Sequence, residues 1–267
     1  MWNLLKMAKF EIGFIKIEIE TYILEKEWSK FQSSSDFAQP DIFLSLASKK
    51  QEKYNLEAYN LPVYFTKCYR FKKDIMLVSK KWNYVLILPE KGLENFNVFA
   101  NQVFYTHAVQ RRMIQIHSSM IECQGKGLLF LGPSGIGKTT MAELWNQYRN
   151  ALIINGDMNF VQETKKCFLG WGTPWHGSSS YCENVNVPIC ALIVLKQAPI
   201  NSIRKLDGFE KVQLVSNNII YPTWLENGME LCLEILDHLL SRLPVYELSC
   251  RPDEEAVRLV EETVFGK

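Results

Sequence analysis

The spacing of hydrophobic residues divides the chain near residue 95. Between residues 95 and 114, apolar side chains recur every three or four positions, which predicts a long helix that leads into a second domain. We therefore expect a smaller β-rich domain at residues 1–94 and a larger domain at residues 95–267. Short apolar runs bounded by turn residues predict the strands of the first domain, at residues 10–19, 64–69, 74–78 and 82–88.

The second domain alternates predicted strands and helices, which is typical of an α/β fold. After the helix comes a predicted β-hairpin at residues 117–131. Its first strand begins at His117, and its turn lies at residues 124–127. The last helix is expected to be capped by Asp253. The elements predicted after the hairpin are strands at 151–157, 187–195, 200–206 and 244–250, and helices from 141, at 225–243 and at 253–264.

A glycine-rich segment at residues 132–140 follows the second hairpin strand and precedes a helix. It matches the P-loop pattern G-x-x-x-x-G-K-[ST] at every constrained position. In that setting the glycines let backbone N–H groups approach phosphate oxygens at the start of a helix, which predicts a nucleotide site. The alternative is a glycine turn that binds nothing. The residues predicted to bind the nucleotide are Gly132, Ser134, Gly135, Ile136, Gly137, Lys138, Thr139 and Thr140.

Two of these residues have further expected roles. We expect Lys138 to reach the β- and γ-phosphates and the Thr139 hydroxyl to bind Mg²⁺. The apolar strand ending at Asp157, expected beside the P-loop strand, would supply a second Mg²⁺ ligand. The alternative for Asp157 is a turn or a helix cap.

The segment at residues 170–180 contains three glycines, a proline and two tryptophans, which predicts a loop. Loops at the ends of strands carry function in open α/β sheets, so we expect this one to lie at the rim of the nucleotide site. His176 is then a candidate for contact with phosphate or with an acceptor. The alternative is a loop histidine without a role.

Composition limits the classes of partner and compartment. A net charge of +1 argues against duplex nucleic acid as a partner. The sequence shows no apolar segment of transmembrane length and no signal-peptide pattern, so a cytoplasmic protein without a membrane partner is expected. The seven cysteines are scattered without a C-x-x-C pair, which indicates neither a zinc site nor a disulfide framework.

Three features together resemble the HPr kinase/phosphorylase family: His117 on the first hairpin strand, the P-loop with its internal Ser134-Gly135, and the strand ending at Asp157. The resemblance is to its smaller relatives in particular, those encoded beside peptide-modifying enzymes in RiPP and lasso peptide gene clusters. It covers residue 95 to the C-terminus and implies the fold shared by the HPr kinase C-terminal domain and phosphoenolpyruvate carboxykinases. The G-x-P-W segment at residues 172–175 is similar to one in these proteins.

The sequence also departs from the family. Two adjacent aspartates stand in the family where this chain has Gly156-Asp157, and the first of them is associated with deprotonating the acceptor hydroxyl. The base is therefore open between Asp157, His117 and another residue. A second glycine-arginine loop of the family is not matched, so phosphorylase activity is not expected.

The resemblance and the P-loop together favour an ATP- and Mg²⁺-dependent kinase that phosphorylates a serine hydroxyl of a precursor peptide or small protein. Its catalytic residues would be His117, Lys138, Asp157 and His176, and its metal ligands Thr139 and Asp157. Two alternatives stay open: an NTP-hydrolysing regulatory module, and a kinase of a free small hydroxyl compound such as serine. The sequences L-S-G-G-Q and N-K-x-D are absent, which weighs against transporter ATPases and GTPase switches. Homo-oligomerisation is left open.

Overall fold

The computed structural model describes residues 7–20, 26–35, 37–46, 50–51, 57–58, 64–90, 92 and 94–266. The chain divides into two compact units, Met1–His107 and Ala108–Lys267. Residues 1–6, where a signal peptide would begin, lie outside the described residues. Within the described part of the chain, no helix combines the length and the apolar character needed to cross a membrane.

The first unit contains a six-stranded sheet and a 3₁₀ helix at Lys26–Phe31. The sheet order is β1-β2-β3-β8-β7-β6, with β3 parallel to both neighbours, and β4 pairs separately with β5. The strands are β1 (Met7–Ile12), β2 (Ile15–Glu20), β3 (Ile42–Leu46), β4 (Lys50–Gln51), β5 (Glu57–Ala58), β6 (Phe65–Phe71), β7 (Asp74–Ser79) and β8 (Tyr84–Leu88).

The single strand predicted at residues 10–19 is wrong, because β1 and β2 form an antiparallel hairpin there. Gly13, with φ +63°, turns the chain between the two strands. Phe10 and Ile12 are buried before the turn, and Ile15 and Ile17 are buried after it. The buried positions thus change from even to odd numbers, because Ile12 and Ile15 are paired across a two-residue turn and face the same side of the sheet.

The predicted helix at residues 95–114 is shorter than expected. It is α1 (Phe96–Gln110), and the chain turns so that a strand begins at Met113. Arg112 adopts φ +62°, a left-handed conformation that ends the helix. Ile114 fitted the apolar spacing predicted for the helix, but it is a buried residue of the strand that begins at Met113.

The second unit contains a nine-stranded sheet and four helices among its described residues. Asp253 caps the last helix as predicted, since its carboxylate accepts a hydrogen bond from the Ala256 N–H at 3.1 Å. The elements are β9 (Met113–Cys123), β10 (Lys126–Leu131), α2 (Lys138–Arg149), β11 (Leu152–Asn155), β12 (Met158–Glu163), β13 (Phe168–Trp171), β14 (Asn186–Gln197), β15 (Ser202–Leu206), α3 (Gly208–Ser216), β16 (Ile219–Ile220), α4 (Gly228–Arg242), β17 (Val245–Cys250) and α5 (Glu254–Phe265).

Two long strands organise this sheet. The first half of β9 pairs with β12, and its second half pairs with β10 and β11. The start of β14 pairs with β13, and the rest of β14 runs parallel to both β10 and β17. The pairings β9–β10–β14–β13–β12–β9 therefore close into a ring. Helices α2 and α5 cover one face, with Trp145 and Val257 in a core that includes Phe130 and Ile193.

The pairing corrects three expectations about the second unit. β11 lies against β9, so β9 separates it from β10, and the parallel neighbour of β10 is β14. His117 is the fifth residue of β9 and does not open it. Gly170 and Trp171 belong to β13, not to a loop. A Cβ on Gly170 would lie 2.3 Å from the Met120 sulfur, so this glycine allows close packing within the sheet.

Candidate active site

The glycine-rich loop, residues 132–137, connects β10 to α2. Gly132, Gly135 and Gly137 have φ values of +140°, +79° and +111°, which side chains with a Cβ rarely adopt. Gly137 is the N-cap of α2, and neither a side-chain cap nor an acidic residue is present in the first turn. The N–H groups at the start of α2 are therefore available to an anion, and the helix dipole favours one there.

Lys138, the first residue of α2, is buried beside this loop. Its Nζ donates to the carbonyl oxygens of Gly132 at 3.0 Å and Pro133 at 3.3 Å. Burial lowers the pKa of Lys138, and the charge of Asp157 opposes that shift. A protonated amine has three N–H donors, so one remains for a ligand.

A cavity of about 270 Å³ lies beside the loop, and we call it the loop cavity. It brings three of the predicted catalytic residues, His117, Lys138 and Asp157, to one place. The glycine-rich segment contributes Ser134, Gly135, Gly137, Lys138, Thr139 and Thr140 to its lining. The other lining residues are His117, Gly156, Asp157, Ser178 and Ser179.

Two residues predicted to bind the nucleotide, Gly132 and Ile136, are not among the described residues that line the loop cavity. A Cβ on Gly132 would lie 3.1 Å from Ile136, so this glycine lets the loop fold tightly upon itself. Ile136 lines a neighbouring cavity together with Met141.

His117 and Asp157 form a pair at the edge of the loop cavity. The Nε2 atom of His117 lies 2.9 Å from Oδ1 of Asp157, and about a quarter of each side chain is exposed. The pairing of β9 with β12 causes this contact, because Met158 lies opposite His117 and Asp157 comes just before it. A neutral imidazole in this arrangement carries its proton on Nε2, and this N–H donates a hydrogen bond to the carboxylate. Nδ1 makes no hydrogen bond to any described residue, so it can accept a proton.

The loop cavity contains the oxygen donors that Mg²⁺ prefers. The Thr139 hydroxyl and the Asp157 carboxylate both line it. Among the described residues, the Thr139 hydroxyl has only a long 3.4 Å hydrogen bond to the Gly156 carbonyl oxygen. Mg²⁺ in proteins usually takes one or two such ligands and completes its shell with water and phosphate oxygens. The described residues contain no cluster of three or more metal-binding side chains. The donor set therefore fits Mg²⁺ bound together with phosphates.

Asn155 holds the Asp157 turn in place and was missed in the sequence. Its Oδ1 accepts from the N–H groups of Asp157 at 2.9 Å and Met158 at 3.0 Å. Its Nδ2 donates to the carbonyl oxygens of Thr173 and Trp175, both at 3.0 Å. An asparagine two residues before an aspartate is a recognisable turn signal, so this role was open to prediction.

Asn218, which lies between α3 and β16, joins the two sides of the cavity and was also missed. Its Oδ1 accepts from the Gly132 N–H at 2.9 Å, and its backbone oxygen accepts from the His117 N–H at 2.8 Å. It therefore holds the start of the glycine-rich loop and the His117 strand at a constant separation. No local pattern around Asn218 indicates this role.

The loop at residues 172–180 reaches the cavity through residues other than the expected histidine. Nδ1 of His176 contacts the Ser179 carbonyl, and His176 is absent from the described lining of the loop cavity. Gly177 has φ +60°, and a Cβ there would lie 2.1 Å from Oδ2 of Asp157. The glycine thus lets the backbone of this loop lie directly against the carboxylate, with Ser178 and Ser179 in the lining.

No protein-family model matches the chain, and no curated protein matches its sequence. Among solved structures, the chain is similar to the Hpr(Ser) kinase/phosphatase from Coxiella burnetii, with a TM-score of 0.34 and 11% sequence identity. The similarity covers 57% of this chain and 97% of that chain. A similarity this low carries no argument, so the fold is described from the strand pairings and the function is argued from the geometry of the loop cavity.

Proposed function

We propose that this chain is an ATP- and Mg²⁺-dependent kinase that transfers the γ-phosphoryl group to a hydroxyl group. The favoured acceptor is a serine of a precursor peptide or small protein, of the kind encoded in RiPP and lasso peptide gene clusters. One observation carries the proposal: a single cavity is lined by Lys138 at the start of α2 and by the His117–Asp157 pair. The first feature suits phosphate, and the second suits a hydroxyl that must lose a proton.

Charge at the glycine-rich loop acts on the donor. Lys138 places its ammonium group at the transferred phosphate, where negative charge is redistributed in the transition state. The uncapped N–H groups of α2 bind phosphate oxygens without having to reorganise. Thr139 and Asp157 would hold Mg²⁺, which would further neutralise the charge of the phosphate oxygens.

The His117–Asp157 pair acts on the acceptor. Asp157 accepts the Nε2–H of His117, which orients the ring and, in the neutral imidazole, leaves the lone pair on Nδ1. Nδ1 takes the hydroxyl proton as the acceptor oxygen forms its bond to the γ-phosphorus. The bond between that phosphorus and the β,γ-bridging oxygen breaks, and ADP leaves. Phosphoryl transfer through a loose transition state depends more on positioning than on the base, so the pair contributes less than Lys138.

Water or a small hydroxyl compound would enter the same cavity, and the test must separate these acceptors from a peptide. The enzyme is incubated with Mg²⁺ and ATP, alone and with free serine or seryl peptides, while ADP, free phosphate and phosphoserine are measured. We expect phosphoserine to form faster than free phosphate when a suitable peptide is present. Formation of ADP and free phosphate without phosphoserine would show that the protein is a hydrolase and not a kinase. Phosphorylated free serine would identify a small-molecule kinase.

The Lys138→Ala variant tests whether the glycine-rich loop is the donor site. We expect transfer to fall by about a hundredfold or more, because alanine leaves the developing charge without its ammonium partner. The matched control is Lys205→Ala, which removes an exposed lysine of β15 that does not line the cavity. Unimpaired turnover in Lys138→Ala, or no ADP formation by the wild-type protein, would overturn the proposal.

A further inference from the structure

A second cavity, of about 570 Å³, adjoins the loop cavity, and we call it the strand-end cavity. The two cavities share Gly135, Gly137 and Thr140, which lie at the start of α2. Neither His117 nor Asp157 is among the described residues that line the strand-end cavity. It therefore extends from the phosphate side of the site and is separate from the acceptor pair.

The wall of this cavity is formed where β14 and β17 end. These strands run parallel to each other, and β14 runs parallel to β10, which leads into the glycine-rich loop. Ligands of α/β sheets bind outside the carboxyl ends of such strands. The wall is fixed by hydrogen bonds, from the Ala198 N–H to the Cys250 oxygen at 3.1 Å and from the Arg251 N–H to Asn201 Oδ1 at 2.8 Å.

The lining combines apolar surface with two cations, the ammonium group of Lys196 and the planar guanidinium group of Arg251. The apolar residues include Ile136, Met141, Leu195, Ala198, Pro199 and Pro252. Arg251 lines the same cavity, and its guanidinium group is paired with Asp253 at 3.0 Å and Glu255 at 3.3 Å. A guanidinium group held in this way can stack on an aromatic ring, which a lysine does poorly. An apolar slot with few polar groups is typical of small-molecule sites, whose volumes run from roughly 300 to 1,000 Å³.

We infer that the strand-end cavity holds the nucleoside of the phosphoryl donor. A triphosphate chain bound at the start of α2 must continue away from the transferred phosphate, and the residues shared by the two cavities provide that path. Donor and acceptor then approach from different sides of the glycine-rich loop. This inference rests on the proposed function, which places the phosphates of the donor at the glycine-rich loop. It adds the site that recognises the nucleoside.

Inorganic tripolyphosphate separates the two parts of the ligand, because it carries the phosphates without a nucleoside. Binding of Mg²⁺-tripolyphosphate and of the non-hydrolysable analogue adenosine 5′-(β,γ-imido)triphosphate is measured by calorimetry. The Ala198→Phe variant fills the strand-end cavity, and Ile200→Phe is the matched control, since Ile200 is 76% exposed and lies outside the lining. Arg251→Ala is a second variant that adds no volume. Melting temperatures show whether each variant folds.

We expect the wild-type protein to bind the nucleotide analogue at least about tenfold more tightly than tripolyphosphate. Ala198→Phe should remove most of that difference, and Arg251→Ala should reduce it severalfold. Both variants should leave tripolyphosphate affinity within about twofold of wild type, and Ile200→Phe should change neither ligand. Equal affinity of the wild type for the two ligands, or a nucleotide affinity unchanged in both cavity variants, would overturn the inference while leaving the donor site intact. If neither ligand binds the wild type, the proposed function and the nucleoside site both fall.

Discussion

His117 and Asp157 contact each other at 2.9 Å although a helix, a hairpin and the glycine-rich loop separate them in sequence. In the proposed mechanism, Asp157 orients the imidazole through one oxygen and offers the other to a metal. The sequence alone leaves the base open between Asp157, His117 and another residue. The contact favours His117, and we propose that this residue removes the acceptor proton.

The His117→Ala variant tests that role at the level of a single residue. We expect transfer to fall about tenfold while nucleotide affinity stays within about twofold, because the imidazole acts on the acceptor and not on the phosphates. Single-turnover transfer, nucleotide affinity and melting temperature measured on one preparation separate a catalytic effect from a structural one. A rate within twofold of wild type, about 0.4 kcal/mol in barrier, would strike His117 from the mechanism.

At the scale of elements, the loop at residues 172–180 determines how closely the backbone approaches Asp157. Asn155 ties this loop to the Asp157 turn through the Thr173 and Trp175 carbonyl oxygens. Gly177 then lies against the carboxylate, where no other residue fits without displacing it. The position of Asp157 therefore depends on a glycine in a neighbouring element.

Gly177→Ala tests this dependence, and Gly125→Ala provides the matched control. Both glycines have positive φ, +60° and +75°, but only at position 177 would the new methyl group meet another atom within 4 Å. We expect both variants to lose about 1 kcal/mol of stability from backbone strain, and only Gly177→Ala to lose transfer activity as well. Equal activity of the two variants would show that the contact with Asp157 does not position the carboxylate. Melting temperature and initial transfer rate are the measurements.

A second cluster of charged residues joins three elements of the same unit. Glu163 at the end of β12 pairs with Arg112 before β9 and with His238 of α4, and Arg112 also pairs with Glu234. Burial by itself raises the pKa of Glu163, but the hydrogen bonds from Arg112 and His238 outweigh it and hold the pKa below its ordinary value. The cluster lies outside both cavities, so we assign it to stability.

Because the folded-state pKa of Glu163 is depressed, the stability it contributes is present above its ordinary pKa of about 4.3 and is lost as pH falls through the lower folded-state value. Glu163→Gln should therefore lower the melting temperature at pH 7 and lower it less, relative to wild type, near pH 3. The control is Glu262→Gln, which removes an exposed partner of Arg258 within α5. If the difference in melting temperature between Glu163→Gln and wild type stayed constant across this pH range, the prediction would be contradicted.

At the scale of the molecule, both cavities lie within the second unit, Ala108–Lys267. The ring of pairings through β9 and β14 places both cavities next to β10. β9 carries His117 in the half that pairs with β12, and the end of β14 lies beside the glycine-rich loop in the wall of the strand-end cavity. A fold with two long shared strands thus places the His117–Asp157 pair and the wall of the strand-end cavity on opposite partners of β10, where we propose that the acceptor and the nucleoside bind.

Features that depend on short segments could be predicted without the structure. The spacing of glycines predicted a loop between β10 and α2, and the structure has positive φ at Gly132, Gly135 and Gly137. Hydrophobic periodicity located α1, α2, α4, α5 and many of the strands, and Asp253 marked the start of the last helix. It missed β3, β12, β13 and α3. It also missed the turn at Gly13, where a two-residue turn interrupts one alternating pattern.

The neighbours of each strand could not be predicted locally, because pairing between distant segments follows from packing of the whole sheet and not from the pattern of any one strand. The folded sheet inserts β9 between β10 and β11, and it brings Asp157 to His117 through the pairing of β12 with β9. It also brought Asn218 to Gly132 and set the ends of β14 and β17 beside the loop. The predicted glycine-rich loop thus became part of a candidate active site through contacts that no local signal contains.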